Sequence, residues 1–593
     1  MNNSVYLFEK PKNEPVYSYA PGTPEREALK AALDRQATQE VEIPIIIGGK
    51  EYRTGDIGNV VMPHDHKHRL GTYHKATEKE VQLAIDTALK ARHDWSRLPW
   101  TERASIMMRI ARLIATKYRY ELNASLMLGQ SKNPMQAEID APCELIDFLT
   151  FSSYYAGQIY SEQPLSDATM LNRMEYRGLE GFVFAVTPFN FTSIASNLNL
   201  APAMMGNTTV WKPSSTSLYS NYLLMKIFKE AGLPDGVVNF VPGQGSTIGK
   251  VVTASESLAG FHFTGSTATF NSIWKSIASG IDRYRTYPRI VGETGGKNFV
   301  MVHPSADAQE VAVALLRGAF EYQGQKCSAA SRAYIPRSMW EDVKSRLGDM
   351  LATVKMGDVR EFDNFVNAVI DEASFDNLAA YIQRAKQSND AEVIFGGTCD
   401  KSVGYYVQPT VILAKTPNYE TMCDELFGPV LTIYVYPDGE YAETLQLVDR
   451  TAKYGLTGSI FSYDRYATEL ALQTLEHAAG NFYINYNTFA PGKPPSYLMK
   501  YTPEGEHAPG FAVQSIGNGL VIPLAYLDGQ VLTGTHGVTA VDPKTGALTP
   551  LTGMDEGLNV YNYVAGPGKQ LLASVYGVGA LPNLLLIDPA TGA

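Results

Sequence analysis

The chain has little cysteine, only Cys143, Cys327, Cys399 and Cys423 in 593 residues. None forms a CxxC pair, so neither a zinc site of the finger type nor a disulfide framework is indicated. So small a complement of thiols favours a reducing compartment. Long apolar runs are missing, which argues against a membrane-spanning helix. Positive charge is in deficit, with 50 Lys and Arg against 61 Asp and Glu and a net charge of −11. That balance argues against a general nucleic-acid surface, though not against a local basic pocket for a phosphate. The first residues, Met1-Asn2-Asn3-Ser4-Val5-Tyr6-Leu7-Phe8, lack the apolar core of a secretory signal. They also lack the Arg-rich character of a transit peptide. The expectation is a cytoplasmic protein, or one of the mitochondrial matrix were the source eukaryotic. With 45% hydrophobic and 19% charged residues, the composition is that of a globular protein with several domains.

Residues 1–40 read as a mostly polar arm with a helix over Arg26–Gln39. A β-rich run, Val41–Ile47, follows. Thr77-Glu78-Lys79-Glu80 is a capping box, and Val81, Ile85 and Leu89 continue it at helical spacing. Helices are expected over 101–130 and 136–155. From Gly181 onward short β-prone runs (181–186, 208–211, 237–241, 260–263) alternate with helical stretches. The alternation resumes at 298–302, 306–322 and 332–335. Strands separated by helices predict parallel, doubly wound sheets. Two such regions in sequence predict a cofactor domain followed by a catalytic domain. The last 83 residues differ: residues 511–593 hold 7 charged side chains and 13 glycines. Short β-prone runs alternate there with turns such as Gly517-Asn518-Gly519 and Gly566-Pro567-Gly568. Asp542-Pro543-Lys544-Thr545-Gly546 recurs as Asp588-Pro589-Ala590-Thr591-Gly592, 46 residues on. That offset is near the length of one propeller blade, but two such turns cannot close a propeller.

Three residues carry chemistry in combination. Cys327 lies in Phe320-Glu321-Tyr322-Gln323-Gly324-Gln325-Lys326-Cys327-Ser328-Ala329. A thiol can attack an aldehyde carbon, and Lys326 beside it is expected to lower the thiol pKa. Glu293, in Val291-Gly292-Glu293-Thr294-Gly295-Gly296-Lys297, is a carboxylate able to activate the water that hydrolyses a thioester. Asn190, in Thr187-Pro188-Phe189-Asn190-Phe191, supplies an amide donor for an oxyanion. Singly, each reads as well as a structural cysteine, a turn acid or a buried amide. Phe263-Thr264-Gly265-Ser266-Thr267 closes a strand and opens a helix, a place for a pyrophosphate although it is no GxGxxG motif. Lys212, in Trp211-Lys212-Pro213-Ser214, and Glu425, in Glu425-Leu426-Phe427-Gly428-Pro429, are candidates for the two riboses of a dinucleotide.

At these residues the chain resembles the aldehyde dehydrogenase superfamily, and within it the branch acting on glutamate gamma-semialdehyde. Further runs that carry the likeness are Gln136-Ala137-Glu138-Ile139-Asp140, Glu144-Leu145-Ile146-Asp147-Phe148 and Tyr176-Arg177-Gly178-Leu179-Glu180-Gly181-Phe182. Val403-Gly404-Tyr405-Tyr406-Val407-Gln408-Pro409 and Tyr454-Gly455-Leu456-Thr457-Gly458 extend it, so that it covers roughly residues 10–487. The resemblance implies an α/β fold with a Rossmann-type NAD domain (41–292, including a helical N-terminal part) and an α/β catalytic domain (293–487). A remnant of the oligomerisation region (488–510) and a glycine-rich, β-prone tail (511–593) would follow. It implies NAD-dependent oxidation of the semialdehyde to glutamate, late in proline breakdown. Cys327 would be the nucleophile, Glu293 the base and Asn190 the oxyanion donor. Lys212, Pro213, Ser214, Gly265, Ser266, Glu425 and Phe427 would bind NAD, and Glu144, Lys326 and Ser328 would lie near the substrate. The implied partners are a small-molecule substrate and further copies of the chain, as a homodimer or larger, with neither nucleic acid nor membrane. One departure stands out. After Gly480-Asn481-Phe482-Tyr483-Ile484-Asn485 the family continues into a Gln-Pro-Phe-Gly-Gly loop that grips the charged end of the substrate. Here Tyr486-Asn487-Thr488-Phe489-Ala490-Pro491-Gly492 follows instead, and Pro495-Ser496-Tyr497-Leu498 resumes the likeness. The departure opens two alternatives, an NAD-binding scaffold without turnover and an aldehyde dehydrogenase of broader specificity.

Overall fold

The computed structural model describes residues 9–485 and, beyond them, a set of β-strands between 496 and 587. The chain divides into two compact units, Met1–Ile484 and Asn485–Ala593. The turns at 518–519, 542–546, 566–568 and 588–592 and the departure at 486–492 lie outside the described residues.

The first unit contains two seven-stranded sheets and a three-stranded one among the described residues. In the first large sheet the spatial order is Arg289–Thr294, Leu258–Gly265, Phe182–Val186, Thr209–Lys212, Val238–Phe240, Ile45–Ile47, Lys50–Tyr52. Its first five strands run parallel. The hairpin Ile45–Tyr52 closes one edge antiparallel. The chain lays strands outward from Phe182–Val186 in one direction, then crosses back to place Leu258–Gly265 on its other side. This reversal leaves a crevice at the carboxyl ends of those two strands, the place where doubly wound sheets receive ligands. The buried faces are near-continuously apolar, as in Phe182, Val183, Phe184 and Ala185, because helices cover both sides of a parallel sheet.

The second large sheet has the order Ala391–Phe395, Thr410–Ala414, Val430–Tyr436, Arg332–Pro336, Phe299–Val302, Thr457–Phe461, Asn481–Asn485. Its central strands are parallel. Val300, Val302, Ala333, Ile335, Leu431 and Ile433 pack here against the helices Ala308–Phe320 and Arg337–Leu351.

Most expected elements are found within a few residues. The Thr77 capping box caps the helix Glu78–Arg97 with both reciprocal bonds. Two long helices are interrupted, however. The 101–130 stretch is Trp100–Leu113 and Arg119–Gln130 joined by a π-helical turn, Ile114–Tyr118. The 136–155 stretch contains a second π turn, Ile139–Cys143, before the helix Glu144–Ser161. Pro142 lies inside that turn; it has no N–H to donate, and the wider turn absorbs the missing bond. Asp140 thereby lies within the irregular turn and Glu144 directly after it.

In the second unit the described strands pair antiparallel. Ser496–Leu498 pairs with Gln514–Gly517, four strands between Ala525 and Gly553 form one sheet, and three between Leu558 and Ile587 form another.

Candidate active site

The candidate residues gather where the carboxyl ends of the first sheet meet the amino ends of the second. From the first sheet come Asn190, just past Phe182–Val186; Lys212, closing Thr209–Lys212; Ser266, after Leu258–Gly265; and Glu293, near the end of the edge strand Arg289–Thr294. From the second come Asn298, immediately before Phe299–Val302; the loop carrying Cys327, before Arg332–Pro336; and Glu425 and Phe427, before Val430–Tyr436.

The loop ahead of the thiol has an unusual backbone. Tyr322, Gln323 and Gly324 all have positive φ, of 50°, 54° and 65°. Two non-glycine residues in this region are costly and persist only where their surroundings fix them. Those surroundings are present. The Tyr322 hydroxyl donates to the Gln130 carbonyl at 2.9 Å. The Gln323 amide donates to the carbonyls of Ser131 and Ala368 and accepts from the Asn367 N–H. A Cβ on Gly324 would lie 2.3 Å from the Gly428 carbonyl oxygen, so glycine is required. Beyond this corner, Gln325 Oε1 accepts from the Ile370 N–H at 2.9 Å, and the Asn190 amide donates to the Gln325 carbonyl at 3.0 Å.

Cys327 is half-buried, with the Glu293 side chain close enough to act on its thiol. Burial pushes its pKa up to about 12, and the Glu293 charge adds to the effect. The expectation that Lys326 lowers this pKa is not met. The Lys326 ammonium turns away to Asp140, at 3.6 Å, because a buried carboxylate draws it more strongly than a neutral thiol. The resting Cys327 side chain is therefore a protonated thiol beside a carboxylate.

Glu144 faces the same pocket. It accepts a 2.5 Å hydrogen bond from the Ser193 hydroxyl, and burial raises its pKa to about 7, with Asp140 adding to the rise. Ser328 is exposed, and its carbonyl accepts from the Thr457 hydroxyl at 3.2 Å.

At the cofactor end, Lys212 is half-buried and meets no acceptor among the described residues; burial lowers its pKa. Pro213 is buried behind it, and Ser214 shares a 3.1 Å hydroxyl contact with Thr216. Ser266 caps the helix Thr267–Ala278, which points its N-terminus into the crevice at Gly265. Glu425 accepts from the Gly296 N–H at 3.0 Å, and a Cβ on Gly295 would sit 1.9 Å from its Oε1. Gly295 is thus what admits that carboxylate. Phe427, at φ 55°, sets its ring edge-on to Phe189 with centroids 5.9 Å apart. An unpaired cation, a helix N-terminus and a carboxylate in sequence around one crevice suit a dinucleotide's ribose, pyrophosphate and second ribose.

Sequence reasoning missed Asn298. Its side chain is buried and fully used: Nδ2 donates to the carbonyls of Cys327 at 2.7 Å and Ala329 at 2.9 Å, and Oδ1 accepts from the N–H groups of Leu456 and Thr457. It ties the cysteine loop to the Thr457–Phe461 strand. Nothing in a single sequence distinguishes it from any asparagine following two glycines and a lysine. Asn298→Ala leaves these groups without their partner and is expected to destabilise the fold by about 2–4 kcal/mol. Denaturant titration measures that loss, and Cys327 alkylation should speed up as the loop loosens.

The chain belongs to the aldehyde dehydrogenase family, whose model matches residues 52–496. Among particular relatives, it is 49% identical over 478 residues to the mitochondrial delta-1-pyrroline-5-carboxylate dehydrogenase of Dictyostelium discoideum, covering 80% of this chain and 86% of that one. It is 46% identical to the mitochondrial enzyme of the same name from Mus musculus, over 80% of this chain and 85% of the other. A solved structure of the Mycobacterium tuberculosis delta-pyrroline-5-carboxylate dehydrogenase bound with NAD is 45% identical, with a TM-score of 0.78, covering 86% of this chain and 93% of that one.

Proposed function

We propose that the chain is an NAD-dependent dehydrogenase that oxidises L-glutamate gamma-semialdehyde, the open form of delta-1-pyrroline-5-carboxylate, to L-glutamate in proline catabolism. The observation that carries this is that Glu293 acts directly on the Cys327 thiol at the carboxyl ends of the first sheet, in a chain 49% identical over 478 residues to an enzyme of that name. NAD, when bound, accepts the hydride from the substrate carbon.

The residues divide the remaining work. Glu293 takes the Cys327 proton, and the sulfur adds to the aldehyde carbon to give a thiohemiacetal. The oxygen of that adduct carries the developing charge. Asn190 is the side-chain donor for it; its amide rests on the Gln325 carbonyl at 3.0 Å, two residues from the sulfur. After oxidation the carbon is a thioester on Cys327. Glu293, having passed the first proton on to solvent, then takes a proton from the water that attacks the thioester; the sulfur leaves and is reprotonated by Glu293, and the product acid ionises to the carboxylate. Lys212, with Pro213 and Ser214, would hold one ribose, Gly265 and Ser266 the pyrophosphate, and Glu425, with Phe427 beside it, the other ribose. Glu144, Lys326 and Ser328 would border the substrate. Four unpaired cysteines are consistent with a reducing compartment, in which Cys327 stays available.

Steady-state NADH formation from glutamate semialdehyde tests the reading; no absorbance change at saturating substrate would reject it. Asn190→Ala is expected to lower kcat by about 10²–10³-fold, the usual cost of one oxyanion donor, with a much smaller change in KM. A change confined to KM would contradict the role given to Asn190.

A further inference from the structure

Behind Cys327 lies a charged cluster to which the steps above assign no part. Lys132 is wholly buried, and its Nζ is 2.5 Å from Asp140 Oδ2. Its ammonium also stands 3.5 Å from the centre of the Tyr322 ring and 4.9 Å from that of Phe191. Asp140, also buried, presents its other oxygen to Lys326 at 3.6 Å, and that oxygen accepts no hydrogen bond. Lys326 is the residue before the thiol, and its Nζ lies 5.6 Å from the Phe191 ring centre. Two ammonium groups thus share one carboxylate, and they share it unequally.

The inequality matters. A buried carboxylate must be compensated, and the closer cation compensates it most. With Lys132 in contact, the Asp140 charge is largely spent before it reaches Lys326. Lys326 is then tethered without being neutralised and keeps a net positive field toward the pocket. Without the Lys132 charge, the sole relief for Asp140 in this cluster is Lys326, which would be drawn down onto it. We propose that Lys132 is a positioning residue that, by holding Asp140, keeps the Lys326 ammonium free to receive a carboxylate of the aldehyde substrate. This rests on the reading above that Lys326 borders the substrate. Tyr322, fixed in its left-handed conformation, supplies the ring under Lys132, so the strained corner and the charge cluster form one unit.

The direct probe is glutarate, a dicarboxylate with no aldehyde, used as an inhibitor of butanal oxidation by the whole chain with NAD. Lys132→Met is expected to raise the glutarate Ki about tenfold. It should also lower, by a similar factor, the ratio of kcat/KM for glutamate semialdehyde to kcat/KM for butanal. A merely structural role would reduce the folded fraction, scale both substrates equally and leave Ki unchanged, and that outcome overturns the proposal. So does a wild-type protein that glutarate does not inhibit. If the wild type oxidises butanal but not glutamate semialdehyde, the substrate reading fails, while the Ki comparison still decides the role of Lys132.

Should Lys132→Met not fold, the wild type alone gives the answer. Burial lowers the Lys132 pKa to about 8; the charges facing it are Asp140, Lys326 and Glu144. As pH rises through that value Lys132 loses its proton, Asp140 turns to Lys326, and the glutarate Ki should climb several-fold between pH 8 and 9.5. Glu144 ionises lower, at about 7, so most of its change precedes this window. A flat Ki there overturns the proposal.

Discussion

Cys327→Ala is expected to abolish NADH formation from glutamate semialdehyde, by about 10⁴-fold or more, as removal of a covalent nucleophile does. On the proposed mechanism the thiol forms the bond to the aldehyde carbon, and alanine has nothing to offer in its place. NAD affinity should be nearly unchanged, since Lys212, Ser266 and Glu425 stand on other elements. Titration calorimetry with NAD checks that half of the prediction and an NADH assay the other. Turnover within tenfold of wild type would remove Cys327 from the chemistry.

Glu293→Gln should have the second-largest effect, and it should act in two opposite directions. Turnover is expected to fall by about 10²–10⁴-fold, because the group proposed to take the thiol proton and to activate water is gone. The thiol itself should become more reactive. In the wild type the Glu293 carboxylate helps hold the Cys327 pKa near 12, by its charge and by its hydrogen bond. Removing the negative charge removes a penalty on the thiolate, so the pKa falls. Each unit of that fall raises the thiolate fraction at pH 8 about tenfold. Iodoacetamide modification of Cys327 in the NAD-free protein, followed by peptide mass spectrometry, should therefore be faster in Glu293→Gln than in wild type. In the wild type the rate should rise with pH throughout the range 7–10, since that range lies below its pKa. A slower reaction in the variant would mean that Glu293 does not face the sulfur.

The two parallel sheets were legible in the sequence because strand–helix alternation is a local signal, and the motifs around Cys327, Glu293 and Asn190 marked those residues as candidates. The pairing of Cys327 with Glu293 was legible through resemblance; by composition alone Glu293 reads as a turn acid. What escaped was long-range. The four bonds of Asn298 join segments far apart in sequence, and no local pattern announces them. Adjacent side chains often point apart, and the direction of Lys326 cannot be read from its place beside Cys327. Its true partner, Asp140, is brought near by the π turn around Pro142. Helical periodicity likewise predicts unbroken helices where π turns intervene, since one added residue per turn scarcely disturbs the apolar pattern.

The most direct measurement is a single turnover of Glu293→Gln with NAD and glutamate semialdehyde, quenched in acid and mapped by mass spectrometry. The account predicts about one equivalent of NADH per chain, formed faster than steady-state turnover, and a glutamyl thioester on the Cys327 peptide. NADH released without an adduct on Cys327, or an adduct on Cys143, Cys399 or Cys423 instead, would contradict it.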